Sequence, residues 1–456
     1  MSTPARPLPV LCASAGIVVC TNGFSTYAAL HLVDGAETWR SWMYTYPFAA
    51  VAIVATAAMV AVLRTMPWRR WPWTLVAVGA YVVWALLSTI WSVDRDTTWP
   101  AATIGVGIAA FGCWFGWRLR AQEQIWAVVL ATGVISVASA LVVWRRPEYG
   151  KMILPPEVFY FVRPWQGIFA NRNSLAPVCV LGLVGVVGFV LSRVSVLRVL
   201  IALPLGVVHV VLLRNSGGIT SQITLVLIAC TAVALPGVWF LRSRRVPGAA
   251  VAGMAVAGVA TAWFVLFAKL DRFTHAVGRE ANLSNRRLIW ADVRRFVADR
   301  PIGGHGYWAF WERADLTAAT YSRLNSAYAS AHSSALEVLL GLGLIGFIAF
   351  LVIVFAAVAG VLRWAWSERS IASWWWSILL VFLVTQNLLE SFVLWHSYVW
   401  VLIVAAAMVP FGRRDLGTEE SLAVERSAVT PLSDDHEDLI TERIPAVGAS
   451  SSGRRG

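Results

Sequence analysis

From Ser334 to Leu362 the chain carries one ionisable side chain, Glu337, in an otherwise almost wholly apolar and glycine run. An α-helix needs about 20 such residues to cross ~30 Å of hydrocarbon. Comparable runs, bounded by charge or proline, recur at 8–30, 43–63, 73–91, 100–117, 125–144, 175–191, 197–213, 222–241, 249–268, 374–392 and 396–411. In lipid every backbone N–H and C=O must be paired within its own segment, so runs of this length are read as helices. The expected fold is therefore all-α, a polytopic transmembrane helix bundle of about 12 spans. Composition agrees, with 58% hydrophobic and 14% charged residues and a mean hydropathy of +0.67. Those values exclude a cytosolic enzyme, a disulfide-stapled secreted domain and a disordered hub. The five cysteines lie inside apolar runs without a C-x-x-C pair, which argues against both a metal site and a disulfide framework.

Lys and Arg collect on the cytoplasmic side of short loops. With the N-terminus inside, the inner loops hold clusters such as Arg69-Arg70, Arg244-Arg245 and Arg413-Arg414, while the short outer loops hold only Arg40, Arg95 and Arg214. The first span is read as retained, since no small-residue cleavage site follows it. The expectation is a multi-pass membrane protein with both termini cytoplasmic. Residues 1–414 form the membrane domain, with large extracytoplasmic loops at 145–174 and 269–332. Residues 415–456 carry nine acidic residues against four arginines and read as a disordered cytoplasmic tail. Its Asp434-Asp435-His436-Glu437-Asp438 cluster is a solvated acidic run rather than a metal site. The net charge of +12 is nearly all arginine, because lysine occurs only at Lys151 and Lys269. Guanidinium groups fork onto phosphate, so the expected partners are membrane lipids and phosphate-bearing ligands, with no nucleic acid.

The larger outer loop predicts an amphipathic helix lying on the outer membrane surface. Ser284 caps it, and Ile289, Val293, Phe296 and Val297 recur at three- and four-residue spacing. Pro301 ends that helix. Gly303-Gly304-His305-Gly306 then reads as a turn that lets backbone approach a ligand closely. Tyr307, Trp308, Phe310 and Trp311 suit an interface belt or stacking on sugar rings. His332 directly precedes the Ser334 span, and an imidazole at a water–lipid boundary can take a proton from a hydroxyl nucleophile. Glu337 and Glu390, within spans, each require a partner or a cavity.

Four separated stretches and a weaker fifth resemble the O-antigen ligase and polysaccharide polymerase superfamily of bacterial envelope enzymes. Leu87-Ser88-Thr89-Ile90-Trp91-Ser92-Val93-Asp94 is similar to its Leu-Ser-x-x-Trp-Ser-x-Asp element. Trp165 through Leu175 resembles a Gly-x-Phe-x-x-(Lys/Pro)-Asn element leading into a span. Arg286 through Trp290, then Pro301 through Gly306 and Ala309-Phe310-Trp311, resemble an Arg-x-x-x-Trp…Pro-x-x-Gly-x-Gly element. His332-Ser333, nine residues, then Gly343-Leu344-Ile345-Gly346 resembles the ligase pattern, and Asn387-Leu388-Leu389-Glu390-Ser391 is the fifth match. The flavour is closer to the exopolysaccharide polymerase branch. Ser216-Gly217-Gly218-Ile219-Thr220 lacks the basic residue usual there, and Arg95 stands where proline is usual.

The resemblance implies an inverting, metal-independent glycosyltransferase without a cofactor. It would move a glycan from a polyprenyl diphosphate carrier to a glycan, lipid or protein acceptor hydroxyl on the outer face of the membrane. His332 would act as general base. Arg172 and Arg286 would hold the diphosphate by motif match, with Arg163 and Arg287 added from their location. Asp94, Asn173, Gly304, Gly306, Glu337 and Glu390 would shape the cavity. Asp94-Arg95-Asp96 spells a metal-binding Asp-x-Asp, which a family neutralising its donor with arginine does not need. The alternative is a transporter or lipid-linked glycan flippase, which would place its ionisable groups near the bilayer midplane.

Overall fold

A computed structural model describes residues 5–31, 37–65, 71–152, 163–243, 283–313, 315–318, 330–392 and 397–412. The expected span at 249–268, the tail at 415–456 and the Arg287 side chain lie outside the described residues. The described helices are α1 (Pro7–Cys20), α2 (Gly23–His31), α3 (Glu37–Thr65), α4 (Trp73–Leu87), α5 (Arg95–Arg118), α6 (Ala121–Arg145) and the single turn α7 (Pro147–Gly150). They continue with α8 (Arg172–Ser192), α9 (Val196–Ser216), α10 (Ile219–Ser243), α11 (Leu283–Asp299), α12 (Ser334–Ser367), α13 (Ile371–Leu389) and α14 (Tyr398–Gly412). Among the described residues there is no strand, only an isolated bridge between Lys151 and Trp165.

Nine of these helices are long and apolar enough to cross a membrane. The expected first span is a pair, α1 and α2, bent by 48° at Thr21-Asn22, and counts as a tenth if taken as one crossing. The last, α14, is apolar but shorter. Of the twelve expected spans, nine are thus seen as such, one is bent, one is short and one is undescribed.

The bundle is held by close helix contacts and by indole hydrogen bonds. On α5, Gly107 abuts Ala52 of α3, and Gly112 and Gly116 abut the backbone around Val401 and Ala405 of α14, where any Cβ would collide. Small residues at such crossings let backbones meet, which supplies the packing that lipid cannot. Three consecutive tryptophans of α13 each tie down a different helix. Trp374 donates to Ala232 O of α10, Trp375 to Val184 O of α8 and Trp376 to Gln124 Oε1 of α6, at 3.0, 3.1 and 2.9 Å. A buried indole N–H demands an acceptor, so each tryptophan fixes both depth and rotation. Glu123 in the first turn of α6 is fully buried and is gripped by the backbone N–H, Nε and a terminal nitrogen of Arg6, tying the start of α1 to α6.

These contacts establish which helix ends share a face. Trp374 near the start of α13 bonds Ala232 of α10 and Gln386 near its end bonds Thr224 near the start of α10, so these two run antiparallel, and Gly218, just before α10, abuts Ala176 in the second turn of α8. Arg172, the first residue of α8, and Leu389, the last of α13, therefore lie toward the same end of the bundle. The start of α12 joins them there, since Ser334 donates to Asn387 Oδ1 at 2.7 Å.

The long helix α12 is not continuous. Gly343 breaks it with φ +63° and ψ −165°, leaving an upper piece from Ser334 and a longer lower piece. Irregular backbone within a bundle is tolerated only where protein covers it. Residues 301–306 supply the cover. His305 and Gly306 donate their amides to Leu340 O and Gly341 O, and Leu344 and Ile345 donate to Pro301 O and Ile302 O. Trp84 of α4 satisfies Leu342 O at 2.9 Å.

Candidate active site

Three of the stretches that resemble one family in sequence, 87–94, 301–306 and the one running into α12, dock on one another through bonds to backbone groups. Trp91 donates its indole N–H to Gly303 O at 2.9 Å, and Val93 N–H donates to His305 O at the same distance. Ser88 Oγ accepts from Tyr307 N–H at 3.0 Å. Arg313 reaches Val93 O, and Arg300 reaches Trp91 O. The Leu87–Asp94 stretch thereby seats the Pro301–Gly306 turn, which seats in turn on the break of α12 below His332.

The glycines of this turn serve that joint. Gly304 has φ +69°, and a Cβ on it would lie 2.5 Å from Gly341 C. Gly306, at φ +108°, would strike Ser92. The close approach expected toward a ligand is made instead to the chain's own α12 and Ser92. His305 is buried in the same joint, with Nδ1 3.1 Å from Leu340 O and its ring edge-on to Phe310. Since a carbonyl only accepts, Nδ1 bears the proton. Burial lowers the His305 pKa from its ordinary value.

The apolar stripe of α11 differs from expectation in what it covers. Ile289 and Val293 are buried against Phe310, Ala331 and Leu340, with Phe296, Val297 and Trp311 packed alongside. The helix is amphipathic because it roofs the chain's own loop, whereas a helix lying on lipid would turn these residues to acyl chains. Trp290 of α11 donates to Ala331 O at 2.9 Å, so this roof is bolted to the residue preceding His332.

At the shared end of α11, α12 and α13 stands Glu390, the C-cap residue of α13 and 8% exposed at its side chain. Its Oε1 accepts from an Arg286 terminal nitrogen at 2.8 Å, and its Oε2 lies 3.0 Å from His332 Nδ1. Arg286 and His332 are half-buried, so both side chains keep some exposure. His332 itself adopts φ +49°, a left-handed conformation unusual outside glycine. Backbone held there persists only where the surroundings enforce it. They do so here. Ser333 N–H donates to Ser391 Oγ, Ser334 Oγ donates toward Asn387 Oδ1 and Glu390 O, and Phe392 N–H donates to Ser334 Oγ.

Glu337, one turn into α12 and 1% exposed, anchors the other side of the histidine. It accepts from Ala331 N–H, from Trp311 Nε1 at 2.9 Å and from the Ser391 hydroxyl. This carboxylate is a scaffold for the loop carrying His332.

The remaining candidates sit on other elements. Arg172 is the half-buried first residue of α8, capped by Asn171, whose Oδ1 accepts from Ser174 N–H at 3.1 Å. Asn173 follows it on the same turn, half-buried. Both lie at the bundle end that holds Glu390. Arg163 is exposed on the stretch leading to Trp165. Asp94 caps α5, accepting from Thr97 N–H at 3.1 Å and Thr97 Oγ1 at 2.8 Å, and lies beside the Gly306 joint. The cluster thus joins Arg286, His332 and Glu390 directly and reads Glu337 as a support. Trp311, read from the sequence as an interface-belt or sugar-stacking residue, instead donates to Glu337, and the Ala331 amide, which also does so, had no mark in the sequence. An aromatic among four in five residues carried no mark of a carboxylate partner, and a backbone amide carries none at all.

No curated protein matches the chain. Residues 177–351, which run from the first turns of α8 through the upper half of α12 and include Arg286, His332 and the Gly343 break, match the family model described as O-Antigen ligase. That match covers Arg286 and His332 of the cluster but not Glu390, and it supports the resemblance to the O-antigen ligase and polysaccharide polymerase superfamily.

Proposed function

We propose that this membrane glycosyltransferase moves a glycan from a polyprenyl diphosphate carrier to an acceptor hydroxyl at the bundle end occupied by Glu390. The observation that carries the reading is the convergence of an imidazole and a guanidinium, from segments 46 residues apart (332 − 286), on one buried carboxylate. Glu390 accepts the Nδ1 proton of His332, so Nε2 is the basic nitrogen and takes the proton of the acceptor hydroxyl. The acceptor oxygen then attacks the anomeric carbon from the face opposite the carrier. The carbon–oxygen bond to the diphosphate breaks, and the diphosphate leaves with its charge on the polyprenol. Arg286, with Arg172 from the start of α8, meets that developing charge, and donors placed for it stabilise the transition state more than the bound donor. Attack opposite the leaving group inverts the sugar configuration. The reading places this end on the outer face of the bacterial cytoplasmic membrane with both termini inside, the acceptor being a glycan, lipid or protein.

A carrier or flippase is less well supported. The buried glutamates Glu123, Glu337 and Glu390 all lie in the first turn or at the cap of a helix, and a translocation path, which calls for ionisable groups midway along the spans, would have among the described buried carboxylates and imidazoles only His209 of α9.

The test is transfer from a lipid-linked glycan in membranes containing the full chain. His332→Ala should abolish product at normal protein level. Arg286→Lys, which keeps charge but loses the fork, should reduce it clearly. Full product from both variants would sink the assignment. Glycan movement across the bilayer without transfer would support the flippase.

A further inference from the structure

A second site lies on the lipid-facing side of the bundle, between α6 and α9. Val143 and Trp144 form one wall, Val207 and Val211 the other, and Lys151 and Trp165 close the end, enclosing about 490 Å³. The walls are apolar and largely open to the lipid, as Val207, Val211 and Trp144 are exposed. The floor is built rather than incidental. Gln166 and Gly167 both donate their amides to Gly150 O, Trp165 N–H donates to Asn215 O, and Gln166 Nε2 donates to Tyr149 O at 2.8 Å.

The mouth is cationic. Lys151, one of two lysines in the chain, stands 5.9 Å from the Trp165 ring centre. Arg145 lies over the Trp144 ring at 4.5 Å, and Arg163 and Arg214 are exposed on the adjoining loop and on the last turn of α9. Glu148, 3.8 Å from Arg146, is the nearby carboxylate and is itself exposed. No carboxylate or imidazole lines the groove among the described residues, so it is furnished to bind and not to react.

We propose that this groove is a binding site for an anionic diacyl phospholipid, with an acyl chain along Val207 and Val211 and the phosphate against Lys151 and the neighbouring arginines. Charge complementarity selects the occupant. Trp144 and Trp165 mark headgroup depth, where a cation beside an acyl-lined wall meets an acidic headgroup. None of the residues lining the groove belongs to the Glu390 cluster, and the proposal does not depend on the reaction assigned there.

Native mass spectrometry of the full chain in detergent tests this with phosphatidylglycerol, phosphatidylcholine and a polyprenyl monophosphate as probes. Phosphatidylglycerol should be retained several-fold more than phosphatidylcholine. Lys151→Gln should cut that retention roughly fivefold, the equivalent of about 1 kcal/mol per basic residue at a headgroup, and Lys151→Arg should preserve it. Val211→Trp, on an exposed wall where it leaves the bundle folded, should displace the chain and cut retention as well. Equal retention of both phospholipids would overturn the proposal. So would unchanged retention in both Lys151→Gln and Val211→Trp, or preference for the polyprenyl phosphate, which would reassign the groove to a carrier lipid.

Discussion

His332 Nδ1 and Glu390 Oε2 stand 3.0 Å apart, joining the loop before α12 to the cap of α13 across 58 residues of sequence. A carboxylate bonded to the far nitrogen of an imidazole fixes its tautomer and its aim, which is how a general base is oriented.

Glu390→Gln retains the shape but gives its oxygen to only one of the two partners and turns an amide N–H toward the other. Since general base catalysis contributes about 10²–10⁴-fold, transfer should fall by roughly 100-fold while protein level and detergent behaviour hold. Assay of lipid-linked donor consumption in membranes checks this. A rate within twofold of wild type would show that the carboxylate does not orient the base.

Gly343→Ala and Gly304→Ala should both prevent stable folding. Gly343 occupies φ +63°, ψ −165°, a region essentially confined to glycine, and its Cβ would overlap the Ile302 carbonyl. Gly304 combines φ +69° with backbone of Gly341 and Gly343 on all sides. Each should cost more than about 3 kcal/mol, from strain of roughly 1–3 kcal/mol plus the steric overlap. Gly79 in α4 is the contrast, exposed, helical and with nothing within 4 Å. Gly79→Ala should be neutral or stabilise by about 0.5–1 kcal/mol. Fluorescence-detected size exclusion after a heat step separates the three.

Much of this architecture was legible because apolar length reports a span directly. Nine runs appear as crossing helices because lipid leaves a chain of that composition few alternatives. The bend at Thr21-Asn22 was visible as polar residues interrupting the first run. Two features were not legible, for related reasons. The three- and four-residue spacing of Ile289, Val293 and Phe296 reports that one face of α11 is covered, and is identical whether acyl chains or Phe310 and Ala331 cover it. Likewise glycine at 303, 304 and 306 signals that something approaches, and only the fold reveals that it is Trp91, α12 and Ser92 in turn. Arg286 and His332 were found from their motifs. That Glu390 receives both depended on two helix ends meeting, a long-range contact that no local pattern encodes.

Acid should loosen the joint beneath the site through His305. Burial lowers its folded-state pKa, while the unfolded chain retains an ordinary value of about 6.5. The unfolded state therefore binds the proton first. The stability tied to neutral His305 is intact above about pH 6.5 and is lost as pH falls from there through the lower folded value. The slope from one such proton is at most about 1.4 kcal/mol per pH unit. Thermal unfolding of the purified chain between pH 8 and pH 5 should show this decline. In His305→Gln, whose amide N–H replaces the Nδ1 donor to Leu340 O, it should be shallower.

Glu337 supports His332 without belonging to the acid–base pair, so its variants should divide turnover from binding. The carboxylate collects three donors, Ala331 N–H, Trp311 Nε1 and the Ser391 hydroxyl, and Ala331 is the residue immediately before the left-handed His332. Glu337→Gln offers one oxygen where two worked and turns an N–H toward a donor, leaving a buried group unpaired at about 1–3 kcal/mol. The loop then relaxes from φ +49°, and the imidazole loses its aim while Arg286 still reaches the donor. Turnover should drop about tenfold with KM for the lipid-linked donor little changed, the pattern of an interaction made chiefly in the transition state. Trp311→Phe removes one donor and leaves the Ala331 bond, so its loss should be a few-fold. Glu337→Ala removes every acceptor and should lower protein level outright. A rise in KM with unchanged turnover in Glu337→Gln would mean that this carboxylate shapes the donor site instead of aiming the base.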